Sequence, residues 1–546
     1  MSSTTSAKKE VTQYHRNKPD KIFIGMASNI FKHAIILFRM YIDWLIDLVF
    51  GFYWEGKRVK IPDLEKRHSI LTESAVDIAA KIRNKQLKSE DLVKICIERI
   101  QQVNPIINAV TDERYEAALE EAREIDQKIA KGLPDEYFKK KPFLGVPFTA
   151  KESHAVAGLL HTLGVLARKD IRAHEDAECV RLMREAGAIP LAVTNVPEIN
   201  KWMEARNYVF GQTNNPHHTG RTAGGSSGGE AALHAAVTVP ISLCSDIGGS
   251  TRMPAFFNGL YALNPTPGHT SLKGSGLRTG EEPTMAAIGF SSRHPGDLAP
   301  LTKVVAGDKA HLLNLDRVVD IKKLKFYYVE SSDDWRPSPI CADQRNVMKK
   351  AIAKLTEDAV STAHVPQPYY HSGFNYLFLL WRYWMTHEVE DFASMITNRK
   401  GRASFWKELA KKCVGMCDYT FPALMKLFDE QVVPPVNKEW AETTTRELKD
   451  ALIELLGDDG VLLFPSCPLL ASYHYAPILR PFNFGYWAIF NVLQFPAAQV
   501  PCGVNSDGIP LGVQVVAAPR HDALCTAVGA SLGQALGGAQ PPCRVH

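Results

Sequence analysis

The chain lacks a strong charge imbalance: 63 Lys and Arg against 59 Asp and Glu leave a formal net charge of +4 over 546 residues. That surplus is too small for a protein built around nucleic acid, where a basic stripe or patch is expected. Cysteine is also sparse. The ten cysteines are scattered through apolar contexts such as Cys96, Cys179, Cys244 and Cys525, which fits reduced, buried thiols and not a disulfide framework. Cys413 and Cys417 stand one helical turn apart without enough further ligands nearby to hold a metal, so no metal site is expected. The 18 histidines contain no His-x-x-x-His pair, and a Ser-His-Asp mechanism has no particular support. No glycine loop ends in Gly-Lys-(Ser/Thr) and no Gly-x-Gly-x-x-Gly opens a helix, which discards the phosphate and dinucleotide cradles. No cofactor is expected. Internal repeats are absent, and no low-complexity linker divides the region after Leu71.

What is present is a pair of glycine-framed serine loops. Gly224-Gly225-Ser226-Ser227-Gly228-Gly229-Glu230 is followed, after an Ala-rich segment, by Ser245-Asp246-Ile247-Gly248-Gly249-Ser250-Thr251-Arg252. Glycines let a backbone turn sharply and aim its N–H groups inward. A serine in such a turn can attack a carbonyl beside donors that hold the resulting oxyanion. Either serine alone would more often cap a helix; two such loops together ask for a base. Lys151 can supply one. It ends the apolar, β-prone run Leu144–Ala150, read as a buried strand, and burial disfavours the ammonium form.

These three pieces together resemble the amidase signature family, whose hallmark is Gly-Gly-Ser-Ser-Gly-Gly-Glu, then Ser-Asp-Ile-Gly-Gly-Ser-x-Arg-x-Pro, with an upstream Val-Pro-x-x-x-Lys strand. The likeness runs from about Leu71 to Pro542. It implies Ser250 as the acyl-ester nucleophile, Ser226 as the bridging serine beside a cis Gly225–Ser226 bond, and Lys151 as the base at the end of the relay. It further implies an oxyanion hole from the backbone N–H groups of Ile247, Gly248, Gly249 and Ser250, and a substrate contact at Asn200. Asp246 and Arg252 flank the second loop and are expected to pin it. Glu230 reads as a helix-start carboxylate in the dipole field. Departures from the family pattern fall at Leu163, Asn264 and His269, outside the triad.

Helix and strand character alternate through the same region. Ser89 is expected to cap a helix over Glu90–Gln102, and 112–131 reads as a charged amphipathic helix. Ala177–Ala186 precedes a strand over Ala188–Val193, and Val239–Cys244 reads as a strand between the loops. The alternation predicts one large α/β domain over residues 61–546. The resemblance implies the amidase-signature fold, a mixed twisted sheet covered by helices on both faces.

The N-terminus carries a second signal. Residues 1–21 form a polar basic tail, and 22–60 a hydrophobic membrane-anchoring helix and linker. Ala34–Trp54 is long enough to cross a bilayer, but Arg39, Asp43 and Asp47 interrupt it. With Lys32 they share an arc of roughly 80° on a helical wheel, opposite Leu37, Phe38, Tyr41, Ile42, Trp44, Leu45, Leu48 and Val49. Three charges cost roughly 7–10 kcal/mol on insertion, against roughly 3–7 recovered from the apolar residues. The balance favours an interfacial or tilted anchor; a single span and a helix packed on the protein itself stay open.

An anchor before an amidase domain resembles the fatty-acid amide hydrolases, and Arg252-Met253-Pro254-Ala255-Phe256-Phe257-Asn258-Gly259 matches their wording, nearest the second mammalian type. This implies a membrane-associated serine hydrolase of N-acylethanolamines or primary fatty amides, sited at intracellular membranes. The partners expected are a small lipid amide, a membrane and, as a candidate assembly, a second copy in a homodimer, with no nucleic acid. The alternatives are an amidase of the amidotransferase type, working in a complex with other chains, and an inactive lipid-binding relative. Tyr376–Met385 and Phe421–Phe428 offer large apolar groups for a substrate channel.

Overall fold

A computed structural model describes residues 19–388 and 391–545, with side chains from residue 34 onward. The expected basic tail therefore falls largely outside the described residues. The framework is an eleven-stranded sheet. In chain order its strands are β1 (Val110–Glu113), β2 (Pro147–Lys151), β3 (Ile189–Thr194), β4 (Ile241–Asp246), β5 (Tyr261–Asn264), β6 (Ala287–Ser292), β7 (Lys325–Tyr328), β8 (Gln367–Pro368), β9 (Gly460–Pro465), β10 (Ala497–Val504) and β11 (Pro510–Ala517). They lie side by side as β1-β3-β2-β4-β6-β5-β10-β11-β9-β7-β8. The sheet is mixed: β2 runs parallel to β3 and β4, whereas β4–β6, β6–β5, β5–β10 and β10–β11 are antiparallel. Apart from the half-buried Ser245, the inner strands β2, β3, β4 and β9 are buried throughout, as strands covered on both faces must be.

Alternation along β2 divides its work. Phe148 and Ala150 enter the main apolar core, while Thr149 and Lys151 share the opposite face. Helices flank the sheet, among them α1 (Pro19–Trp54), α2 (Ser89–Ile107), α3 (Tyr115–Ala130), α4 (Gly228–Ala235), α5 (Arg252–Phe257), α6 (Leu377–Met385), α7 (Phe421–Gln431) and α8 (Gly485–Leu493). A second apolar core gathers Phe374, Leu377 and Leu380 with Phe464, Tyr486, Ile489 and Phe490.

Two local expectations need correction. Ser89 does not cap α2. The Asp126 carboxylate, reaching over from α3, accepts the N–H groups of Ser89 and Glu90 at 2.8 and 3.0 Å, which frees the Ser89 hydroxyl to donate to Gly145 O at 2.7 Å. The helix expected over 112–131 begins only at Tyr115, because Val110–Glu113 pairs with β3 as an edge strand.

The N-terminal helix lies against the protein and keeps an apolar face outward. Its charged arc is turned toward the protein. Asp43 is only 5% exposed, and Asp43 and Asp47 both pair with Arg480. Leu37, Phe38, Tyr41, Trp44, Leu48 and Val49 are exposed instead. Among the described residues no helix is long and apolar enough to cross a membrane, so the single-span alternative finds no support. The physical reason is in the sequence: the aspartates that break the apolar run are the ones that dock the helix.

Candidate active site

Lys151 sits at the C-terminal end of β2, 1% exposed. Its Nζ lies 2.6 Å from Ser226 Oγ and 3.2 Å from Ser245 Oγ. Burial, the chief cause, pulls its pKa down to about 8, and the nearby Lys201 cation acts in the same direction. A neutral amine is thus accessible near physiological pH, as a proton acceptor requires.

Ser226 lies in the first loop, before α4, and the Gly225–Ser226 peptide is cis. A side chain at Gly225 would meet Trp202 O at 2.3 Å and Glu204 N at 2.9 Å, so only glycine fits there. The Ser226 hydroxyl goes to the lysine and not to a helix end. Ser227 N–H donates to Ser250 O at 3.1 Å, tying the first loop to the second. Lys151, Ser226 and Ser250 line one small polar cavity of about 50 Å3. Glu230 sits in the first turn of α4, but it is wholly buried and accepts from Thr149 Oγ1 at 2.9 Å and Thr194 Oγ1 at 2.8 Å. It bolts α4 to β2 and β3. Burial pushes its carboxyl up to about 7 against the pull of those hydroxyls.

The second loop is closed by Asp246. Its carboxylate accepts the N–H groups of Gly249 (2.7 Å), Thr251 (3.1 Å) and Arg252 (3.3 Å), and the Arg252 guanidinium grips it through Nε and Nη2, both at 3.0 Å. Arg252 also donates to Gln514 Oε1 at 2.9 Å and Asn491 Oδ1 at 2.6 Å. Burial alone would raise the Asp246 pKa, but Arg252 and the loop N–H groups outweigh it and hold the carboxyl below its ordinary value. This network modifies one expectation. The Gly249 N–H is spent on Asp246, and its φ of +105° makes the turn. Among the described residues the N–H groups of Ile247, Gly248 and Ser250 have no protein acceptor. On the far side of that peptide, Trp381 Nε1 donates to Ile247 O at 3.1 Å.

Asn200 stands where two cavities meet, lining both the polar one and a larger, mostly apolar one of about 390 Å3. It has φ +60°, beside Ile199 at +51°, and its Oδ1 is buried without a hydrogen-bond partner among the described residues. The larger cavity also reaches Ser250. Its walls come from α6 (Phe378, Leu379, Trp381), α7 (Met425, Phe428) and the segment Pro481–Phe484. The two aromatic runs singled out in the sequence thus supply two of its sides. The third side was missed, because Pro481, Phe482 and Phe484 carry no periodic pattern before α8. Ser245 was also missed as a lysine partner, although it stands in the second motif. Of the departures, Leu163 takes φ +55° and Asn264 leaves both amide atoms unpaired in the core. No group of three or more His, Cys, Asp or Glu among the described residues could hold a metal ion.

With this geometry in hand, comparison with known proteins is direct. The Amidase family profile matches residues 91–526. The chain is 38% identical over 482 residues to a Homo sapiens protein described as "Fatty-acid amide hydrolase 2", spanning 86% of this chain and 90% of that protein. It is 36% identical over 519 residues to "Fatty-acid amide hydrolase 2-A" of Danio rerio, spanning 91% and 95%. Among solved structures, a 6-aminohexanoate cyclic dimer hydrolase complexed with substrate superposes with a TM-score of 0.68 at 24% identity, covering 86% of this chain and 99% of the other. A structure described as "Fatty acid amide hydrolase" gives 0.68 at 18% identity, covering 87% of each. At those identities the structures speak for the fold, a mixed sheet flanked by helices. A buried lysine on a serine loop, a second loop closed by its own Asp–Arg pair, and a family match over most of the length lead to one statement: this chain belongs to the amidase signature family and is an amide hydrolase.

Proposed function

We propose that this protein is a membrane-associated hydrolase of fatty-acid amides, working through Ser250, Ser226 and Lys151. The observation that carries the reading is the apolar cavity of about 390 Å3 that ends on Ser250. Its aromatic and methionine walls suit an alkyl chain, whose burial contributes about 0.8 kcal/mol per CH2. A polar amide head would then rest where the apolar and polar cavities join.

In this mechanism neutral Lys151 accepts the proton of Ser226 as Ser226 takes that of Ser250. The Ser250 oxygen forms a bond to the acyl carbon, and the carbonyl π-electrons move onto its oxygen. The N–H groups of Ile247, Gly248 and Ser250 stabilise that oxyanion. Asn200 Oδ1 accepts the amide N–H of the substrate and satisfies its own missing partner. Collapse breaks the carbon–nitrogen bond, and the amine leaves with the proton returned along the serines. Water then repeats the addition on the acyl-enzyme, releasing the fatty acid and restoring Ser250.

The exposed apolar face of α1, with Phe38, Trp44 and Val49 among its members, supports docking at a lipid surface as an interfacial helix. The relatives described as fatty-acid amide hydrolases agree with the substrate class. The test is labelling and turnover with the full-length protein. A fluorophosphonate should modify Ser250, and Ser250→Ala should abolish both labelling and hydrolysis of an oleoyl amide while leaving the thermal melt unchanged. Undiminished turnover in the purified variant rejects the nucleophile. Labelling without turnover of any acyl amide favours a lipid-binding relative.

A further inference from the structure

The charges that interrupt α1 do more than dock it. Arg480 is 1% exposed. Its Nε donates to Asp43 Oδ1 at 2.8 Å, its Nη2 to Asp43 O at 2.5 Å, and its Nη1 to Asp47 Oδ1 at 2.7 Å. Asp43 and Asp47 are four residues apart and so share one helical face, which lets a single planar guanidinium bind both. Asp43 makes a second link. Ser338 Oγ donates to Asp43 Oδ1 at 3.1 Å, and Ser338 is held to Asn483 in both directions, its N–H on Asn483 Oδ1 at 2.8 Å and its Oγ receiving Asn483 Nδ2 at 3.2 Å. One aspartate on α1 therefore grips the segment Arg480–Asn483 at both ends.

That segment is a wall of the apolar cavity. Pro481, Phe482 and Phe484 line it. Phe482 packs edge-on against Phe378 at 4.9 Å between ring centres, and Phe484 against Trp381 at 4.7 Å. Trp381 in turn holds the Ile247 carbonyl of the oxyanion loop. The helix is thus joined to the cavity by four short links: aspartate, arginine, phenylalanine pair, tryptophan. Burying this pair is not the cheapest way to attach a helix. Apolar residues of similar size would often hold it as well or better, and the best-attested use of a buried ion pair is to fix a register. Here the thing registered is the wall.

We propose that Asp43 and Asp47, acting through Arg480, set the position of the Pro481–Phe484 wall, so that α1 is a specificity-determining part of the acyl site. Recognition of long acyl chains then depends on the docked helix, whereas short chains that do not reach the wall are processed without it. Asp43 is a positioning residue; it touches no substrate. This inference rests on the amide-hydrolase reading above, and the experiment separates the two.

Full-length protein in a single detergent, which removes any difference in membrane delivery, is assayed on N-butanoyl- and N-oleoyl-ethanolamine. Asp43→Asn should lower the oleoyl-to-butanoyl ratio of kcat/KM by about tenfold, the low end of what one methylene contact is worth, with fluorophosphonate labelling of Ser250 within twofold of wild type. Phe482→Ala, which alters the wall while leaving the clamp intact, should move the ratio the same way and decides the matter should Asp43→Asn fail to fold. A ratio within twofold of wild type in either folded variant overturns the proposal. So does a parallel fall of both substrates and of labelling, which would mean a merely structural role. If the wild type hydrolyses neither amide, the substrate reading fails, and oleate binding by calorimetry still tests the clamp: affinity should fall about tenfold in Asp43→Asn, and unchanged affinity overturns it.

Discussion

Two buried aspartate–arginine clusters can be set side by side. Asp246 and Arg252 are six positions apart and both fully buried. Asp43 and Arg480 are 437 positions apart, their side chains 7% and 1% exposed. The first closes a loop on itself, consuming three backbone N–H groups and leaving others for the site. The second fastens one element to another, consuming a single helix-face carboxylate pair and a backbone carbonyl. The difference lies in what each one positions. The local cluster fixes the loop that carries Ser250 to within a hydrogen bond, and the distant one is tied to a cavity wall several side chains away. The first is wholly buried, whereas the Asp47 end of the second is 44% exposed, but it is by function that the consequences of breaking them should separate most clearly.

The largest effect is therefore expected at the local cluster. Asp246→Asn leaves Arg252 buried without a counter-charge, costing about 3–5 kcal/mol of stability, and loosens the loop that presents the Gly248 and Ser250 N–H groups. Turnover of every acyl amide should fall by about 10²–10³, the loss associated with one oxyanion donor. Asp43→Asn should leave butanoyl turnover within twofold of wild type. The check is kcat on the short substrate beside a thermal melt for each variant. Equal losses of kcat in the two variants would erase the distinction between the clusters.

The same contrast explains what could be read before any coordinates. Lys151, Ser226, Ser250, Asp246 and Arg252 stand inside short motifs, so they could be singled out from sequence, and the structure sets the lysine on Ser226 and Arg252 on Asp246. The Gly249 N–H was misjudged because a motif gives the order of residues and not which amide the Asp246 carboxylate takes. The apolar, β-prone run before Lys151 marked β2, whereas the residues of α6 stood out only as large apolar groups, and the charged amphipathic pattern put a helix over residues 112–114, where pairing with β3 overrides local propensity. On α1 the wheel separated charged from apolar arcs, and the structure shows which one meets the protein: Asp43 is buried on Arg480 while Leu37, Phe38 and Trp44 are exposed. Nothing near Asp43 in sequence reveals that its partner waits at Arg480. Long-range pairs between single charged residues have no periodic signature, and the aromatic wall they hold was invisible for the same reason.

The smallest effect sharpens the comparison through pH. Lys151 is pulled down to about 8, first by burial, with Asp246 among the charges opposing the shift and Lys201 among those assisting it. The base must be neutral, so at pH 7 about one lysine in ten is competent, and kcat/KM should climb about tenfold through pH 8 to a plateau. Asp43 is not among the chief groups acting on Lys151, so Asp43→Asn should reproduce the wild-type midpoint even while its chain-length ratio moves. Lys201→Gln removes a neighbouring cation. A lone positive charge on Lys151 is then easier to keep, its pKa rises, and the rising limb shifts to higher pH. Activity near pH 7 falls as a result, while the plateau pH is reached later. Profiles recorded on butanoyl amide, where the wall plays no part, check the sign. A limb that moved to lower pH in Lys201→Gln would overturn the sign given to that cation, and any displacement in Asp43→Asn would show that the two clusters share one electrostatic field and are not separate devices.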